Sequence, residues 1–190
     1  ILVPTLVVAN PELEKVTLQL KWKHAFQFAG YYAALEKGFY REAGLDVSIQ
    51  EHQGKRSPAE VLLDGNAQYA ITGSAIILHR AQGRPVLALA AIFQHSPYAF
   101  LVKADSGIDR VEDFAGRRVM LGSGAQDAAL HATLRRAGIY KGDFVRQPTS
   151  FDVNSLIRGD TDVFNAYVTD QGFSLQEAGI EGHYLLPMQY

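Results

Sequence analysis

The sequence predicts an α/β protein built from two lobes of similar design. Period-two apolar patterns, typical of strands, alternate along the chain with three- and four-residue apolar spacings, typical of helices. The connections between these segments are short, as in doubly wound sheets. Residues 63–69 and 157–163 also share one pattern, in which a helix end is followed by a glycine, polar residues and the start of a strand. The shared pattern indicates a repeated unit, and coincidence is the alternative. We assign residues 14–95 to lobe 1 and 96–190 to lobe 2.

The elements of lobe 1 follow from apolar spacing and from helix-end signals. Val16, Leu18 and Leu20 alternate with polar residues and predict the first strand. Ser57, Pro58 and Glu60 form a capping-box pattern, which predicts that a helix begins there. The other predicted elements are a helix over about 26–38 ended by Gly38, a strand over 45–49, a short buried strand over 69–71, a helix over 74–82 and a central strand covered on both faces over 86–93.

Lobe 2 repeats this alternation. Its first predicted strand ends at a glycine-containing loop over 122–124, and a helix follows the loop directly. Gly138 and Gly159 mark the ends of two helices. The predicted elements are strands over 118–121, 144–145, 162–167 and 183–186, and helices over 126–137, 150–159 and 169–178.

Composition excludes several classes of function. The net charge is −2 and the basic residues form no stripe, so we expect no nucleic-acid partner. The chain has no cysteine, which excludes disulfides, thiolate metal sites and cysteine nucleophiles. The six histidines show no metal-ligand spacing, and no nucleophile–base pair stands out. We therefore predict a binding protein without metal or cofactor and without a catalytic site.

The first thirteen residues form a segment outside the two lobes. Residues 1–10 are apolar, but they are too few to span a bilayer and no basic segment precedes them. This segment is either an N-terminal extension or the remnant of a signal peptide.

Five loops are candidates for a ligand site. In doubly wound sheets, ligands bind at the carboxyl ends of strands beside helix N-termini, so the loops of two facing lobes would line a cleft. These loops supply aromatic faces, hydroxyl groups, backbone N–H groups and one or two carboxylates, a mixture that suits a flat, nearly neutral heterocycle. The loops cover residues 22–27, 72–74, 93–96, 122–125 and 165–170.

Eleven residues in or beside these loops are the candidate ligand contacts. They are Trp22, Phe26, Gln27, Tyr31, Ser74, Gln94, His95, Ser123, Asn165, Tyr167 and Asp170. Alternatives stay open for several of them. Trp22 and Tyr31 are core residues in the alternative interpretation, and His95 is structural. The loop over 122–124 either cradles an anion at a helix N-terminus or is a plain turn. Phe28, Tyr32 and Phe39 have helical spacing, which favours the core.

Several sequence blocks resemble the NMT1/THI5-like family. They are LQLKW at 18–22, FQFAGYYAA at 26–34, EKGFY at 36–40, EAGLD at 42–46 and DVFNAYV at 162–168. The likeness extends over about residues 15–187. EKGF is shared with many type II periplasmic binding proteins, whereas the tryptophan and FQFAG are more specific to the family.

The resemblance implies the two-lobe type II periplasmic-binding-protein fold and an extracytoplasmic, periplasmic location. It implies a thiamin-pyrimidine-like ligand and favours Trp22, Tyr31, Ser74 and Asn165 as its contacts. Because FQFAGYY is most similar to the sensor branch, the leading hypothesis is the ligand-sensing module of a membrane histidine kinase or diguanylate cyclase. The alternative is the solute-binding protein of an ABC permease.

The family also includes pyrimidine synthases, whose PLP-bonding lysine lies in the loop that reads Thr72, Gly73 and Ser74 here. These synthases also carry a cysteine-rich segment near the boundary of the C-terminal lobe. The loop here has no lysine and the chain has no cysteine, so a pyrimidine synthase-type enzyme is the least favoured alternative. In type II binding proteins the chain usually crosses back to the first lobe, and this crossover should begin near 187–190. We therefore expect that the fold is truncated here, or that lobe 1 has an open sheet edge on which a homodimer would pair.

Overall fold

The computed structural model of the protein describes residues 12–122, 127–150 and 152–190. Most of the 1–13 segment and the candidate Ser123 lie outside these residues. The chain divides between Ile71 and Thr72 into two units, called unit 1 and unit 2 below. The lobe boundaries given above, 14–95 and 96–190, stay a prediction. No helix within the described ranges has both the length and the apolar character needed to cross a bilayer.

Unit 1 contains a parallel three-stranded sheet with β1 at its centre. Strand β1 (Glu14–Gln19) pairs with β2 (Leu45–Gln50) on one side and with β3 (Tyr69–Ala70) on the other. The predicted strands at 16–20, 45–49 and 69–71 are confirmed, although Tyr69 is exposed rather than buried.

The helices of unit 1 connect these strands. A 3₁₀ turn (Phe26–Phe28) leads into α1 (Ala29–Glu36), and α2 (Phe39–Glu42) and α3 (Pro58–Leu63) follow. Gly38 has a φ of +79°, so it provides the left-handed end of α1 that the sequence predicts. The capping box of α3 is also confirmed, because the Ser57 backbone N–H donates to Glu60 Oε2 at 2.8 Å and the Glu60 N–H donates to Ser57 Oγ at 3.3 Å.

The predicted strand over 86–93 is wrong. After α4 (Ala75–Ala81), this run adopts no strand, and none of the strands in the described ranges pairs with it. Val86 is buried, but Leu87 is 80% exposed and Leu89 is 69% exposed. A strand needs a neighbouring strand for its hydrogen bonds, and an apolar run alone does not provide one.

Unit 2 contains a mixed sheet that includes one strand missed by the sequence analysis. Strand β4 (Tyr98–Lys103) is antiparallel to both β7 (Phe164–Tyr167) and β8 (Gly182–Leu185). Strand β5 (Arg118–Met120) is parallel to β6 (Val145–Gln147), and a parallel bridge between Val119 and Val163 joins β5 to the β7 segment. The order across unit 2 is therefore β6-β5-β7-β4-β8. The helices are α5 (Ala128–Arg136), α6 (Asn154–Ile157) and α7 (Gln171–Glu177).

Residues of the sheet alternate between two apolar cores. Phe100 and Val102 of β4 pack in one cluster with Leu130 and Leu134 of α5, whereas Leu101 faces the other cluster. All three residues named from β4 are at most 1% exposed. The alternation follows from the period of two along a strand. Both faces of this sheet are therefore covered.

An ion pair connects β5 to the start of the β7 segment. Asp162 Oδ2 accepts the backbone N–H of Arg118 at 2.7 Å, and Asp162 Oδ1 accepts Arg118 Nη2 at 2.6 Å. Hydrogen bonds from the Arg118 side chain lower the pKa of the Asp162 carboxyl, and the Arg118 backbone N–H adds to the effect. The pair holds β5 and β7 in register.

Replacement of Asp162 should remove part of the acid sensitivity of the protein. Because the pKa of Asp162 is lowered on folding, its stabilisation is complete above the ordinary carboxyl pKa of about 3.9 and is lost as pH falls through the lowered value. Urea unfolding from pH 7 to pH 2.5 should show that Asp162→Asn is less stable than the wild type at pH 7 and converges with it in acid. Asp109→Asn, at an exposed position, is the control. Parallel curves for the wild type and Asp162→Asn would contradict the prediction.

Candidate functional site

A cluster of polar side chains lies within unit 2, where several strands end beside helix α5. We call it the Asp127 cluster, and its members are Tyr98, Asp127, Thr149, Asn165 and Tyr167. Tyr98 opens β4, Tyr167 closes β7, Thr149 follows β6 and Asp127 immediately precedes α5. Thr149 and Tyr167 therefore lie at the carboxyl ends of β6 and β7, beside the N-terminus of α5, whereas Tyr98 lies at the amino end of the antiparallel strand β4.

Strand register brings the residues from β4 and β7 together. Tyr98 is directly opposite Tyr167 in the antiparallel pair, and Phe100 is opposite Asn165. Since residues alternate between faces, Asn165 shares a face with Val163, which belongs to the core cluster under α5. Asn165 is only 7% exposed. Asn165 is therefore a polar residue at a position where the alternation along the strand predicts an apolar one.

Asp127 is the charged centre of the cluster and is 1% exposed. Its Oδ2 atom accepts the Gly122 backbone N–H at 2.7 Å and the Asn165 side-chain N–H at 2.8 Å. Gly122 is held from its other side as well, because His131 Nε2 lies 3.0 Å from the Gly122 carbonyl oxygen. Asp127 lies at the N-terminus of α5, where the helix dipole stabilises a negative charge.

The amide of Asn165 is only half satisfied. Its Nδ2 donates to Asp127 Oδ2 and, at 3.3 Å, to Thr149 Oγ1, which uses both amide hydrogens. Its Oδ1 is buried and has no hydrogen-bond partner among the residues that the structure describes. A buried acceptor without a donor costs about 1–3 kcal/mol, so the atom is either a ligand contact or a source of strain.

The two tyrosines close one side of the cluster. Their rings meet edge to face with centroids 4.7 Å apart. Burial raises the pKa of Tyr98 well above its ordinary value, and the nearby Asp127 charge and a hydrogen bond to Asp127 raise it further. Burial and the Asp127 charge also raise the pKa of Tyr167. Both phenols are therefore neutral at physiological pH, and Tyr98 supplies a hydrogen-bond donor to the carboxylate.

Unit 1 presents a set of aromatic rings that are covered to different degrees. Phe28 is 3% exposed and belongs to the core, as expected. Trp22 and Tyr31 pack against the same cluster of Leu18, Leu20 and Phe28 but remain partly exposed. Phe26 is 90% exposed. The rings of 22–31 therefore combine core packing with an accessible aromatic surface.

Hydrogen bonds hold the loop after β1 in place. The buried Gln19 side chain donates from Nε2 to the carbonyl oxygens of Leu20 and Glu51, at 3.0 and 3.1 Å. The His52 N–H donates to the Trp22 carbonyl oxygen at 3.0 Å. Burial lowers the pKa of His52, and nearby Lys21 adds to this. The backbone of Trp22 is thus positioned by the end of β2.

The remaining candidate contacts are scattered. Gln27 is partly exposed in the 3₁₀ turn, and Ser74 is exposed just before α4. Gln94 and His95 are both exposed in the segment before β4. Asp170 precedes α7, and its Oδ2 accepts Gln171 Nε2 at 2.6 Å. Of the eleven candidates, the structure brings Asn165 and Tyr167 into one polar cluster, and Trp22 and Tyr31 onto one apolar cluster.

Sequence analysis missed Tyr98, Asp127 and Thr149. Asp127 carried a usable signal, since it follows the 122–125 loop and opens a helix. Tyr98 was missed together with the whole of β4. Thr149 lies outside every nominated loop, and only the fold brings it next to Asn165, sixteen residues along the chain.

Metal binding finds no support in the described residues. Within 12–122, 127–150 and 152–190, no group of three or more His, Asp or Glu side chains is placed to hold a metal ion. A concave region of about 140 Å³ does lie elsewhere in unit 2, lined by Lys103, Asp105, Arg117 and Asp162 among others. Two of these charged side chains have partners of their own, since Lys103 Nζ donates to the Ile157 carbonyl oxygen at 3.0 Å and Asp162 pairs with Arg118.

Comparison with known proteins gives one family. The sequence model of the family described as NMT1/THI5 like matches residues 25–190. The Riboflavin-binding protein RibY of Chloroflexus aurantiacus is 29% identical over 184 residues, which are 94% of this chain and 52% of that protein. The Formylaminopyrimidine-binding protein of Halalkalibacterium halodurans is 25% identical over 185 residues, which are 94% of this chain and 55% of that protein. The chain thus spans about half the length of these curated relatives.

A solved structure shows the same fold. The periplasmic aliphatic sulphonate binding protein SsuA of Escherichia coli aligns with a TM-score of 0.61 at 22% identity, over 92% of this chain and 56% of that one. The type II periplasmic-binding-protein fold expected from the sequence is therefore confirmed.

Loss of the Tyr98 hydroxyl should destabilise the fold. Tyr98→Phe leaves the buried Asp127 carboxylate without one of its donors, which should reduce the free energy of unfolding by about 1–3 kcal/mol. Urea unfolding followed by far-UV circular dichroism measures the change. Tyr140→Phe removes a hydroxyl from a ring that is 60% exposed and is the matched control. Equal stabilities of the two variants would show that Asp127 does not depend on Tyr98.

Proposed function

Because the chain belongs to the NMT1/THI5-like family, we propose that it is the ligand-binding part of an extracytoplasmic small-molecule binding protein. Its proposed ligand is a flat, uncharged nitrogen heterocycle of the pyrimidine class. The observation that carries this proposal is the Asp127 cluster, a buried and largely pre-organised polar site at the strand ends of unit 2.

The composition of the two units supports a heteroaromatic ligand. Unit 1 offers partly exposed rings at Trp22 and Tyr31 and an exposed ring at Phe26, which are suited to stacking on a planar molecule. Unit 2 offers neutral hydroxyl and amide groups, which are suited to orienting ring nitrogens and their substituents. Two relatives are named for binding riboflavin and formylaminopyrimidine, and both of these compounds contain flat nitrogen heterocycles.

The site residues that we propose include those named from the sequence and those added by the structure. In unit 1 they are Trp22, Phe26, Gln27 and Tyr31. In unit 2 they are Asn165, Tyr167 and Asp170, with Ser74, Gln94, His95 and Ser123 retained from the sequence analysis. Asp127 and Thr149 position the Asn165 amide rather than contact the ligand.

Delivery to an ABC permease is the role we favour for the whole protein. Its support is that both curated relatives are named as binding proteins. Sensing by a membrane histidine kinase or diguanylate cyclase is the second candidate, and it is supported by the FQFAGYY block at 26–32, which resembles the sensor branch. The coding sequence beyond Tyr190 separates them, because a transmembrane helix followed by a kinase or cyclase domain would establish the sensor.

Removal of an exposed ring should weaken ligand binding without destabilising the fold. Calorimetric titration with 4-amino-5-hydroxymethyl-2-methylpyrimidine and with riboflavin tests the proposal. Phe26→Ala should reduce affinity by about 1–3 kcal/mol, roughly 5- to 150-fold, if the ring stacks on the ligand. Because Phe26 is 90% exposed, the unfolding free energy should not change.

The matched control is Phe39→Ala, which removes a ring that is 55% exposed from α2. Its affinity should equal that of the wild type. Trp22→Ala should weaken binding as well, but its partial burial makes a stability measurement necessary alongside. The absence of heat from every pyrimidine or flavin tested, with folded protein, would refute the proposed ligand class.

A further inference from the structure

We infer that the ligand donates a hydrogen bond from an N–H group to Asn165 Oδ1 and bears no negative charge at that edge. This inference rests on the proposed function and specifies the chemistry of the same site. Among neutral heterocycles, it selects those with an amino group or a lactam N–H and disfavours sulphonates, carboxylates and phosphates.

The orientation of the Asn165 amide is set by its surroundings. Nδ2 lies 2.8 Å from Asp127 Oδ2 and 3.3 Å from Thr149 Oγ1. Rotation of the amide by 180° would place Oδ1 against the carboxylate oxygen, where two acceptors repel each other. The Asp127 carboxylate is itself held by the Gly122 N–H at 2.7 Å. It therefore cannot move aside to accommodate the rotated amide. Oδ1 must therefore point away from Asp127.

The oxygen is left as an unused acceptor. Asn165 is 7% exposed, and within 12–122, 127–150 and 152–190 no group donates to its Oδ1. Buried acceptors are nearly always paired, so a site that leaves one open is suited to a ligand that brings a donor. The side chain is oriented for this role before the ligand arrives, because both of its N–H groups are already committed.

The second part of the inference, that the ligand has no negative charge at this edge, follows from the charge of Asp127. The carboxylate is 1% exposed and lies one hydrogen bond from the Asn165 amide. A negative group docked on Asn165 would lie within a few ångströms of this buried charge, where like charges repel strongly. The neighbouring side chains of Tyr98 and Tyr167 cannot offset the negative charge, because a phenol carries no positive charge in either protonation state. The likeness to a sulphonate-binding structure therefore concerns the fold and not this part of the site.

The experiment compares ligands that differ at one N–H group. The first pair is 4-amino-5-hydroxymethyl-2-methylpyrimidine and its 4-methyl analogue, in which a methyl group of similar size replaces the amino group. The second pair is riboflavin and 3-methylriboflavin, which lacks the ring N–H. With the wild type, we expect the N–H member of the binding pair to bind at least tenfold more tightly, and ethanesulphonate not to bind.

Two variants assign the difference to Asn165 Oδ1. Asn165→Leu removes the acceptor and should bring the affinity ratio of the pair close to one. Asn66→Leu makes the same substitution at an exposed position of unit 1 and is the matched control, so its affinity ratio should stay at tenfold or more. If Asn165→Leu does not fold, the Asn165 side-chain amide resonances of the wild type provide a second measurement. They should shift on addition of the N–H ligand and not on addition of its analogue.

The outcomes separate the inference from the function on which it rests. If no member of either pair binds folded wild-type protein, the proposed function fails and the inference fails with it. If both members bind equally, or if the ratio persists in Asn165→Leu, the inference is overturned and the proposed function stands. Ethanesulphonate binding that depends on Asn165 would overturn the exclusion of anions.

Discussion

The pairing of β4 with β7 and β8 is the constraint on which unit 2 depends. Strand β4 lies between β7 and β8, and its residues from Ala99 to Val102 are at most 1% exposed. Its alternate side chains divide between two apolar cores. The register of this pair also sets the site, because it aligns Tyr98 with Tyr167 and Phe100 with Asn165. A slip by one residue would exchange the faces and remove Asn165 from Asp127.

The Asp127 cluster shows how an apolar framework holds a polar site. A buried carboxylate is unfavourable unless its acceptor capacity is used, and here the Gly122 N–H, the Asn165 amide and the Tyr98 hydroxyl use it. These three groups come from three separate segments of the chain, which are brought together by strand pairing and packing. Within this network the Asn165 Oδ1 atom has no donor among the described residues, and the proposed selectivity for a ligand N–H rests on this atom.

Unit 1 contributes a different kind of surface. Its parallel sheet ends in a loop whose backbone is tied to the end of β2 through Gln19 and His52. Beyond this anchor, Phe28 completes the core while Trp22 is only partly covered. Aromatic rings that are packed on one side and accessible on the other lose little freedom when they stack on a planar ligand. The density of rings in this segment therefore has a structural reason, and the proposed function adds ligand stacking to it.

The sequence by itself determined the elements whose signals are local. Examples are the period-two pattern of β1, the capping box of α3 and the blocks that carry the family resemblance. Each of these consists of residues that are close together in the sequence. Only the tertiary structure decided between two similar apolar runs, since β4 is a strand and residues 86–93 are not. Tertiary structure alone also joined Asn165 to Asp127, which lie 38 residues apart. Strand pairing and buried hydrogen bonds need a partner from elsewhere in the chain, and a local sequence pattern does not identify that partner.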